Sequence, residues 1–173
     1  MNMEIVIRPA TPDDDTATER IEIAADALLV DRFGAVDWPP PTPAVERTSS
    51  PGFVLVAEHT DDAAVEPPVV GFAHVLEIDG HAHLEQLSVL PSYGRRGIGR
   101  ELVKAALTEA RNRGYAEITL RTYVDVPWNA PFYSSCGFVA SDPDTPLLRK
   151  LVEVESALGL FEYGPRVQMT ASL

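Results

Sequence analysis

Two short stretches of this sequence combine residue types that could bind a charged ligand and move a proton. The first is RRGIGR at residues 95–100, in which three arginines surround two glycines. Glycine lets a ligand approach the backbone and arginine adds positive charge, so this stretch predicts a phosphate or pyrophosphate site. The second is FYSSCGF at residues 132–138, which contains a tyrosine. A phenol with a pKa near ~10 stays protonated at neutral pH and can act as an acid.

The residues around the first stretch predict a strand, a turn and a helix. In HAHLEQLSVL at 81–90 successive side chains point to opposite faces, as in a strand. From Ile98 the apolar residues recur at helical spacing, and Gly114 suits the end of that helix. The first turn of a helix presents unpaired N–H groups and the positive end of the dipole, which favours an anion at the turn. The alternative is a glycine turn with solvated arginines.

With the residues before it, the turn resembles the acetyl-CoA site of the GNAT superfamily of N-acyltransferases. The family's turn reads Q/R-x-x-G-x-G/A, and Gly97 and Gly99 match its two small positions. Gly94 stands where the family usually has Gln or Arg, and Arg95 is placed to make the missing contact. The order Leu-Ser-Val-Leu-Pro before the turn is also typical of the family. The resemblance extends over residues 69–140.

The resemblance implies an α+β fold with three layers, in which helices flank a mixed, mostly antiparallel central sheet. We expect a single domain over residues 1–173. Acetyl-CoA is expected as the acyl donor and co-substrate. The residues expected to bind it are Leu87, Ser88 and Val89 on the strand, Arg95, Arg96, Gly97, Ile98, Gly99 and Arg100 in the turn, and Asn129 and Tyr133 downstream.

The second stretch resembles the GNAT signature Y-x-x-x-G-F, which identifies Tyr133 as the expected general acid. In that family the matching tyrosine lies beside the acyl-CoA sulfur and protonates the departing thiolate. The alternative for Tyr133 is a core residue that donates one structural hydrogen bond. Val126 stands where the family often has an Asn that contacts CoA, and Asn129 is the candidate replacement.

An amine acceptor needs a base, because an alkyl ammonium with a pKa near ~10.4 cannot attack a carbonyl. The strand period of two places His81, His83 and Glu85 on one face. Glu85 is the first candidate for the base and His83 the second, and the alternative is that all three are ordinary polar residues. The resemblance also implies that a backbone amide among Leu87–Val89 polarises the carbonyl.

The composition narrows the classes of partner. A formal net charge of −12 argues against a nucleic-acid or anionic-membrane binder and favours a cationic acceptor, although solubility alone would explain the charge. No apolar run is long enough to span a bilayer, and the N-terminus lacks signal-peptide features, so we expect a cytoplasmic protein. The single cysteine, Cys136, is expected to be a buried thiol, and no His, Cys, Asp or Glu spacing predicts a metal site.

These patterns predict an N-acetyltransferase that moves an acetyl group from acetyl-CoA to a primary amine of a small molecule or peptide. The amine attacks the thioester directly in a ternary complex. Two alternatives remain: a non-catalytic acyl-CoA-binding module, and a nucleotide-binding domain that uses the same turn. The acceptor is left open among antibiotics, polyamines, amino acids, peptide N-termini and protein lysines. A homodimer through edge strands or the C-terminal segment is compatible with the sequence.

The remaining patterns predict the elements that surround the site. Asp79-Gly80 predicts a tight hairpin between two strands, and a parallel β-α-β crossover should follow it. The other predicted elements are a strand at Ile5–Arg8, a helix from Asp13 to about Leu29, a short helix at Ala44–Thr48, a strand at Phe53–Glu58, a polar loop at His59–Pro68, a strand at Ala116–Tyr123, a short helix opened by Asn129, a strand from Phe138, a helix at Leu147–Leu158 and a last strand at Arg166–Leu173.

Overall fold

The computed structural model describes residues 4–60 and 68–173, and these form a mixed sheet flanked by helices. No helix within those residues has the length and apolar character needed to cross a membrane. Short 3₁₀ turns lie at Pro12–Asp14, Pro91–Tyr93 and Leu160–Tyr163. The elements are β1 (Ile5–Pro9), α1 (Asp15–Phe33), α2 (Ala44–Ser49), β2 (Gly52–His59), β3 (Val69–Ile78), β4 (His81–Val89), α3 (Ile98–Asn112), β5 (Glu117–Tyr123), α4 (Ala130–Ser135), β6 (Val139–Ser141), α5 (Pro146–Ala157) and β7 (Arg166–Ser172).

The sheet has seven strands in the order β1-β2-β3-β4-β5-β7-β6. Strands β4 and β5 are parallel and are joined through α3, whereas β1–β2, β2–β3, β5–β7 and β6–β7 pair antiparallel. A parallel pair needs a long crossover, which α3 supplies. The predicted α+β class and mixed, mostly antiparallel sheet are therefore confirmed.

The turn between β3 and β4 has the backbone that the Asp-Gly pair predicts. Asp79 has a φ of 51° and Gly80 a φ of 76°, so both central residues are left-handed. Two left-handed residues define the type I′ turn, whose twist matches that of the flanking strands. This turn sets the register with which β4 returns along β3.

Some boundaries differ from the sequence-based expectation. Helix α1 continues to Phe33, beyond the predicted end near Leu29, because Gly34 adopts a left-handed φ of 61° and its N–H bonds to Val30 O. Helix α5 begins one residue early at Pro146, where the Thr145 hydroxyl accepts from Leu148 N at 3.2 Å. Most of the predicted polar loop at 59–68 lies outside the described residues.

The chain divides into two compact units. The first comprises Met1–Leu76 and Leu84–Ala106, and the second comprises Glu77–His83 and Leu107–Leu173. The expectation of one functional domain over 1–173 stays a prediction.

The first unit has an apolar cluster built from α1, β2 and β3. Its buried members are Ile21, Val56, Val69 and Phe72, and Ala10, Ala17, Val54 and Leu90 pack against them. Helix α3 buries one apolar face, with Ile98, Leu102, Val103 and Ala106 each no more than 3% exposed. Burial of that face fixes the orientation in which the helix presents its first turn.

The second unit is organised by the long antiparallel ladder between β5 and β7. Their pairing runs from Glu117–Ser172 to Tyr123–Arg166. Glu155 of α5 accepts from Arg121 Nε and from Arg166 Nε, each at 2.7 Å. Arg166 also lies over the Tyr123 ring, with 4.4 Å from Cζ to the ring centroid. One carboxylate on α5 thus joins the helix to both strands of the ladder.

Candidate active site

The arginine-glycine turn is exposed and lies at the first residues of α3. Arg95, Arg96, Gly97 and Arg100 are all exposed, whereas the Ile98 side chain is 3% exposed and anchors the helix start. Because the amides of the first helical turn have no carbonyl four residues earlier in the helix, they remain available to an anion beside three guanidinium groups.

The backbone of this turn departs from the usual regions at two positions. Arg95 has a φ of 60° and Gly97 a φ of 82°. A Cβ added to Gly97 would have no neighbour within 4 Å, so glycine is favoured here by its backbone conformation. A non-glycine residue such as Arg95 at positive φ is uncommon, and such residues concentrate at functional sites. Left-handed residues in a turn also gather N–H groups into an anion-binding concavity.

Tyr93 supports the turn from the side of β4. The Arg96 guanidinium carbon lies 5.2 Å from the centroid of the Tyr93 ring. That ring stacks in turn on His59 of β2 at 5.8 Å with an interplanar angle of 18°. Gly94 N donates to Pro91 O at 3.1 Å, which closes the preceding 3₁₀ turn. Aromatic and backbone contacts therefore fix the conformation of the segment between β4 and α3.

The end of β4 has a buried polar side chain and packs closely on β3. The Ser88 side chain is 3% exposed, and its hydroxyl accepts from Gln86 Nε2 at 2.9 Å. A Cβ added to Gly71 of β3 would lie 3.1 Å from Ser88 O and 3.2 Å from Val89 Cγ2. This close packing holds the predicted ligand-binding segment Leu87–Val89 firmly against β3.

Tyr133 lies on α4 in an aromatic setting. Its ring meets Phe132 edge-on with centroids 5.2 Å apart, and it meets Phe138 edge-on at 5.8 Å. Its N–H donates to Asn129 O at 3.0 Å, so the first turn of the helix positions it. Burial raises the pKa of the Tyr133 phenol above its usual value, with a smaller effect from Cys136. The phenol therefore stays protonated at neutral pH and keeps a proton to donate.

Asn129 precedes α4 and has a structural contact. Its Oδ1 accepts from Tyr123 N at 3.4 Å, a long hydrogen bond that ties the turn to the end of β5. Its side chain makes no capping bond to the helix. Val126, at the position where the resemblance leads one to expect an Asn, is 2% exposed. The predicted contact of Asn129 with CoA remains a prediction.

A pocket of about 180 Å³ lies in the first unit beside Glu85. Glu85 itself is exposed on β4, next to Gln86 in the pocket wall. Four lining residues that the sequence analysis did not single out come from α1, α2 and β3: Glu22, Glu46, Arg47 and His74. Their contribution depends on how the helices pack against the strand, which no local pattern records.

Arg47 is the cation of this pocket, and it is 3% exposed. Its Nη1 donates to Glu22 Oε2 at 2.9 Å and its Nη2 donates to Thr42 O at 2.9 Å. The guanidinium carbon lies 4.6 Å from the centroid of the Phe72 ring. Burial raises the pKa of the Glu22 carboxyl, and Arg47 opposes that shift. Most of the guanidinium is thus committed to groups of the protein itself.

His74 forms part of the pocket wall and is 4% exposed. Burial lowers its pKa to about 4, and the nearby charge of Arg47 contributes to the shift. The imidazole is therefore neutral at pH 7. Among the described residues its Nε2 has no hydrogen-bond partner, and neither has Arg47 Nε. Unpartnered buried polar atoms of this kind are rare in folded proteins.

His83, the second candidate for the base, lies in the second unit and is 4% exposed. Its Nδ1 is 2.8 Å from Thr119 Oγ1. Burial lowers its pKa to about 4, with Glu155 and Arg121 acting in opposite directions. An imidazole with so low a pKa is a weak base at neutral pH. Glu85 is exposed whereas His83 is buried, and the choice of Glu85 as the base stays a prediction.

Solved structures with the same fold include several that contain CoA. The chain aligns with the ribosomal-protein-S18-alanine N-acetyltransferase from Escherichia coli at a TM-score of 0.68 and 19% identity, covering 98% of this chain and 94% of that one. It aligns with Rv2747 from Mycobacterium tuberculosis in complex with CoA at a TM-score of 0.65 and 17% identity, covering 97% and 99%. The chain also aligns with N-acetylglutamate synthase from Neisseria gonorrhoeae, complexed with coenzyme A and N-acetyl-glutamate, at a TM-score of 0.69 and 14% identity. That alignment covers 100% of this chain and 36% of the synthase chain.

The family assignment comes from the sequence match that spans the turn and the tyrosine. The model of the acetyltransferase (GNAT) family matches residues 22–138, which is more than half of the 173 residues. The matched segment includes β3, β4, α3, β5 and α4. The resemblance inferred from RRGIGR and FYSSCGF is therefore confirmed, and the chain belongs to the GNAT family of acetyltransferases.

Proposed function

We propose that this protein transfers an acetyl group from acetyl-CoA to a primary amine by direct attack in a ternary complex. The observation that carries the proposal is the exposed turn at 95–100, with left-handed Arg95 and Gly97 at the start of α3. Membership of an acetyltransferase family supports it, and so do CoA complexes among the fold neighbours. Acetyl-CoA supplies the thioester carbon that the amine attacks.

The residues of the turn fit a diphosphate. Exposed guanidinium groups at Arg95, Arg96 and Arg100 can pair with its oxygens, and the amides of the first helical turn can donate to them. The backbone of Leu87–Val89, fixed against β3 by the close approach at Gly71, is proposed to bind the pantetheine amides as an added strand would.

Two side chains have separate roles in the proposed proton transfers. Glu85 accepts a proton from the ammonium of the acceptor, directly or through water, which frees the nitrogen lone pair. As the N–C bond forms and the C–S bond breaks, a backbone N–H of Leu87–Val89 stabilises the carbonyl oxygen, a contribution of ~3 kcal/mol in comparable sites. Tyr133 then donates its proton to the sulfur, which leaves as the neutral thiol. The second proton of the nitrogen is released as the amide forms and returns through water to the Tyr133 phenolate.

The second candidate is an acyl-CoA-binding module without catalysis. Membership of an acetyltransferase family favours catalysis over binding alone, with Tyr133 proposed as the acid. Binding of acetyl-CoA without release of free CoA across a panel of amines would instead favour the module.

Calorimetric titration with acetyl-CoA tests the cofactor site. Arg96→Glu should weaken binding at least tenfold, because it places a carboxylate where the diphosphate is proposed to lie. Arg149→Glu is the matched control, since Arg149 is exposed on α5 in the second unit. Equal affinities for wild type and Arg96→Glu would rule out this turn as the binding site.

Tyr133→Phe tests the acid. The proposal predicts that kcat falls about 10²-fold while the Kd for acetyl-CoA changes little, because general acid catalysis contributes on that order. Release of free CoA, followed with a thiol reagent, measures the rate. An unchanged kcat would show that the sulfur leaves without help from this phenol.

A further inference from the structure

The pocket beside Glu85 has a charge pattern that selects among amines. We propose that the acceptor is a small amine carrying a second cationic centre, held in this pocket by Glu46 and His74 while Glu85 faces the reacting nitrogen. This inference rests on the proposed acetyl transfer and names the substrate class of that same site.

The carboxylates of the pocket outnumber its cations. Its lining includes Glu22, Glu46 and Glu85, and Arg47 is the one Lys or Arg among the described residues that line it. Arg47 is paired with Glu22 at 2.9 Å, so these two charges largely offset each other. Glu46 and Glu85, both exposed at the protein surface, leave the pocket with negative charge. An acceptor with two positive groups matches that charge, and an acceptor with a carboxylate opposes it.

Arg47 offers little to a substrate carboxylate. Its Nη1 and Nη2 already donate to Glu22 Oε2 and Thr42 O, and its one unpartnered nitrogen, Nε, is buried. A carboxylate entering the pocket would have to displace Glu22 from a buried pair, which would leave a buried charge unpartnered. Amino acids and acidic peptides therefore lack a ready counter-ion here.

His74 provides an observation independent of the carboxylates. It is 96% buried by its 4% exposure, it lines the pocket, and its Nε2 has no partner among residues 4–60 and 68–173. A neutral imidazole with its proton on Nδ1 presents a lone pair at Nε2. An ammonium group donates to such a lone pair, whereas a carboxylate cannot. The proposal assigns the proton of the neutral ring to Nδ1, which makes Nε2 the acceptor.

The wall that carries Glu46 is held in a defined position. Glu19, Glu22 and Asp26 follow one face of α1 at spacings of three and four residues. Glu19 Oε1 accepts from Ala44 N at 2.7 Å, Glu22 pairs with Arg47, and Asp26 Oδ2 accepts from Trp38 Nε1 at 3.2 Å. These three contacts attach the segment 38–49 to α1. A pocket with a fixed wall can discriminate between acceptors by the group at their far end.

Three amines with the same carbon chain test the proposal: 1,4-diaminobutane, 1-aminobutane and 4-aminobutanoate. They differ at the far end, which is an ammonium, a methyl and a carboxylate respectively. With the full chain and saturating acetyl-CoA, kcat/KM should be at least tenfold higher for the diamine than for the monoamine, and lowest for the amino acid. Equal values, a preference for 4-aminobutanoate, or no turnover of the diamine would overturn the proposal.

Glu46→Gln locates the effect in this pocket. It should lower kcat/KM about tenfold for 1,4-diaminobutane and by a much smaller factor for 1-aminobutane, whose single ammonium faces Glu85. Glu153→Gln changes the net charge equally at a side chain that is 71% exposed on α5, and it should change neither value. An equal loss for both amines, or an effect of Glu153→Gln as large as that of Glu46→Gln, would contradict the assignment.

Calorimetric titration with acetyl-CoA distinguishes a failure of the acceptor class from a failure of the acetyl-transfer proposal. If acetyl-CoA binds with a Kd that Arg96→Glu weakens but the three amines are not distinguished, the acceptor class is wrong and the acetyl-transfer proposal stands. If acetyl-CoA does not bind at all, the proposed function fails first and the acceptor class fails with it.

Discussion

Each of the two units contains a buried carboxylate paired with arginine, and the two pairs differ in how completely they are satisfied. In the second unit, Glu155 accepts from Arg121 and Arg166 at 2.7 Å. No atom of those three side chains is among the unpartnered buried atoms of the described residues. In the first unit, Glu22 accepts from Arg47, but Arg47 Nε and the neighbouring His74 Nε2 have no partner there.

The difference separates a buried group whose hydrogen bonds are complete from one whose hydrogen bonds are not. A buried charge is costly unless its hydrogen bonds are complete, and the Glu155 group meets that condition without any ligand. The Glu22 pair does not, and it is the one that borders a pocket. Its incomplete hydrogen bonds lie at the pocket where we propose that the acceptor binds.

The largest expected effect comes from removing the carboxylate of the complete pair. Glu155→Ala leaves Arg121 and Arg166, whose side chains are 6% and 11% exposed, without their shared partner. The free energy of unfolding should fall by about 3–5 kcal/mol, as measured by urea denaturation. The Kd for acetyl-CoA of the folded fraction should not change.

The exposed neighbour Glu153 provides the control for this measurement. Glu153→Ala, on the same helix, should change the free energy of unfolding by less than about 0.5 kcal/mol. A similarly small loss for Glu155→Ala would mean that water reaches Arg121 and Arg166 and that Glu155 is not needed to stabilise them.

The pH dependence of stability compares two buried histidines whose pKa is lowered, His74 in the pocket and His83 beside Thr119. Both have a pKa lowered to about 4. Below a pH of about 6.5 the unfolded chain binds protons that the folded imidazoles refuse, so stability is complete above that pH and falls as the pH drops towards 4. At pH 5 the loss should be about 2 kcal/mol for each histidine.

Urea denaturation of wild type, His74→Gln and His83→Gln at pH 7.5 and pH 5 measures these losses. Between pH 7.5 and pH 5 each variant should lose less unfolding free energy than wild type, by the contribution of the histidine that it lacks. The raised pKa values of Glu22 and Asp26, both caused by burial, act in the opposite direction and are common to all three proteins. If both variants lost as much stability as wild type between pH 7.5 and pH 5, neither imidazole would be kept neutral by burial.

Among changes to buried groups, the smallest expected change in stability comes from exchanging the incomplete pair for apolar residues. Glu22→Leu combined with Arg47→Met should alter the free energy of unfolding by no more than about 1 kcal/mol, since apolar replacements of a buried pair are often neutral. The KM for 1,4-diaminobutane should rise, because Arg47 positions the wall that carries Glu46. A large loss of stability with unchanged KM would reverse the distinction between the two pairs.

Local patterns predicted the frame of the fold well. Asp79-Gly80 specified a type I′ hairpin because its two left-handed residues are confined to that pair. The apolar spacing from Ile98 predicted α3, whose bounds in the structure are Ile98–Asn112. The glycines at 97 and 99 led to the family that the sequence match confirms. In each case the controlling information lies within a few residues.

The pocket beside Glu85 could not be predicted from local sequence patterns. His74 lies on β3, where the first seven residues are all buried, so no alternation distinguishes a pocket residue from a core residue. Arg47 is a single arginine in a loop-rich segment, and its partner Glu22 is 25 residues away. The strand period placed His83 and Glu85 on one face, but pairing of His83 with Thr119 across the β4–β5 ladder covers the histidine. The surroundings of His74, Arg47 and His83 are thus determined by tertiary packing and not by local sequence.

The attachment of α2 to α1 has a practical consequence. The three acidic anchors belong to α1, while Thr42 and Glu46, which line the pocket, belong to the segment 38–49 that the anchors hold. A combinatorial library restricted to these two positions would therefore change the chemistry of the cavity and leave the anchoring contacts in place. Enzymes selected from such a library should differ in which nucleophile they accept, yet share one melting temperature and one affinity for the donor.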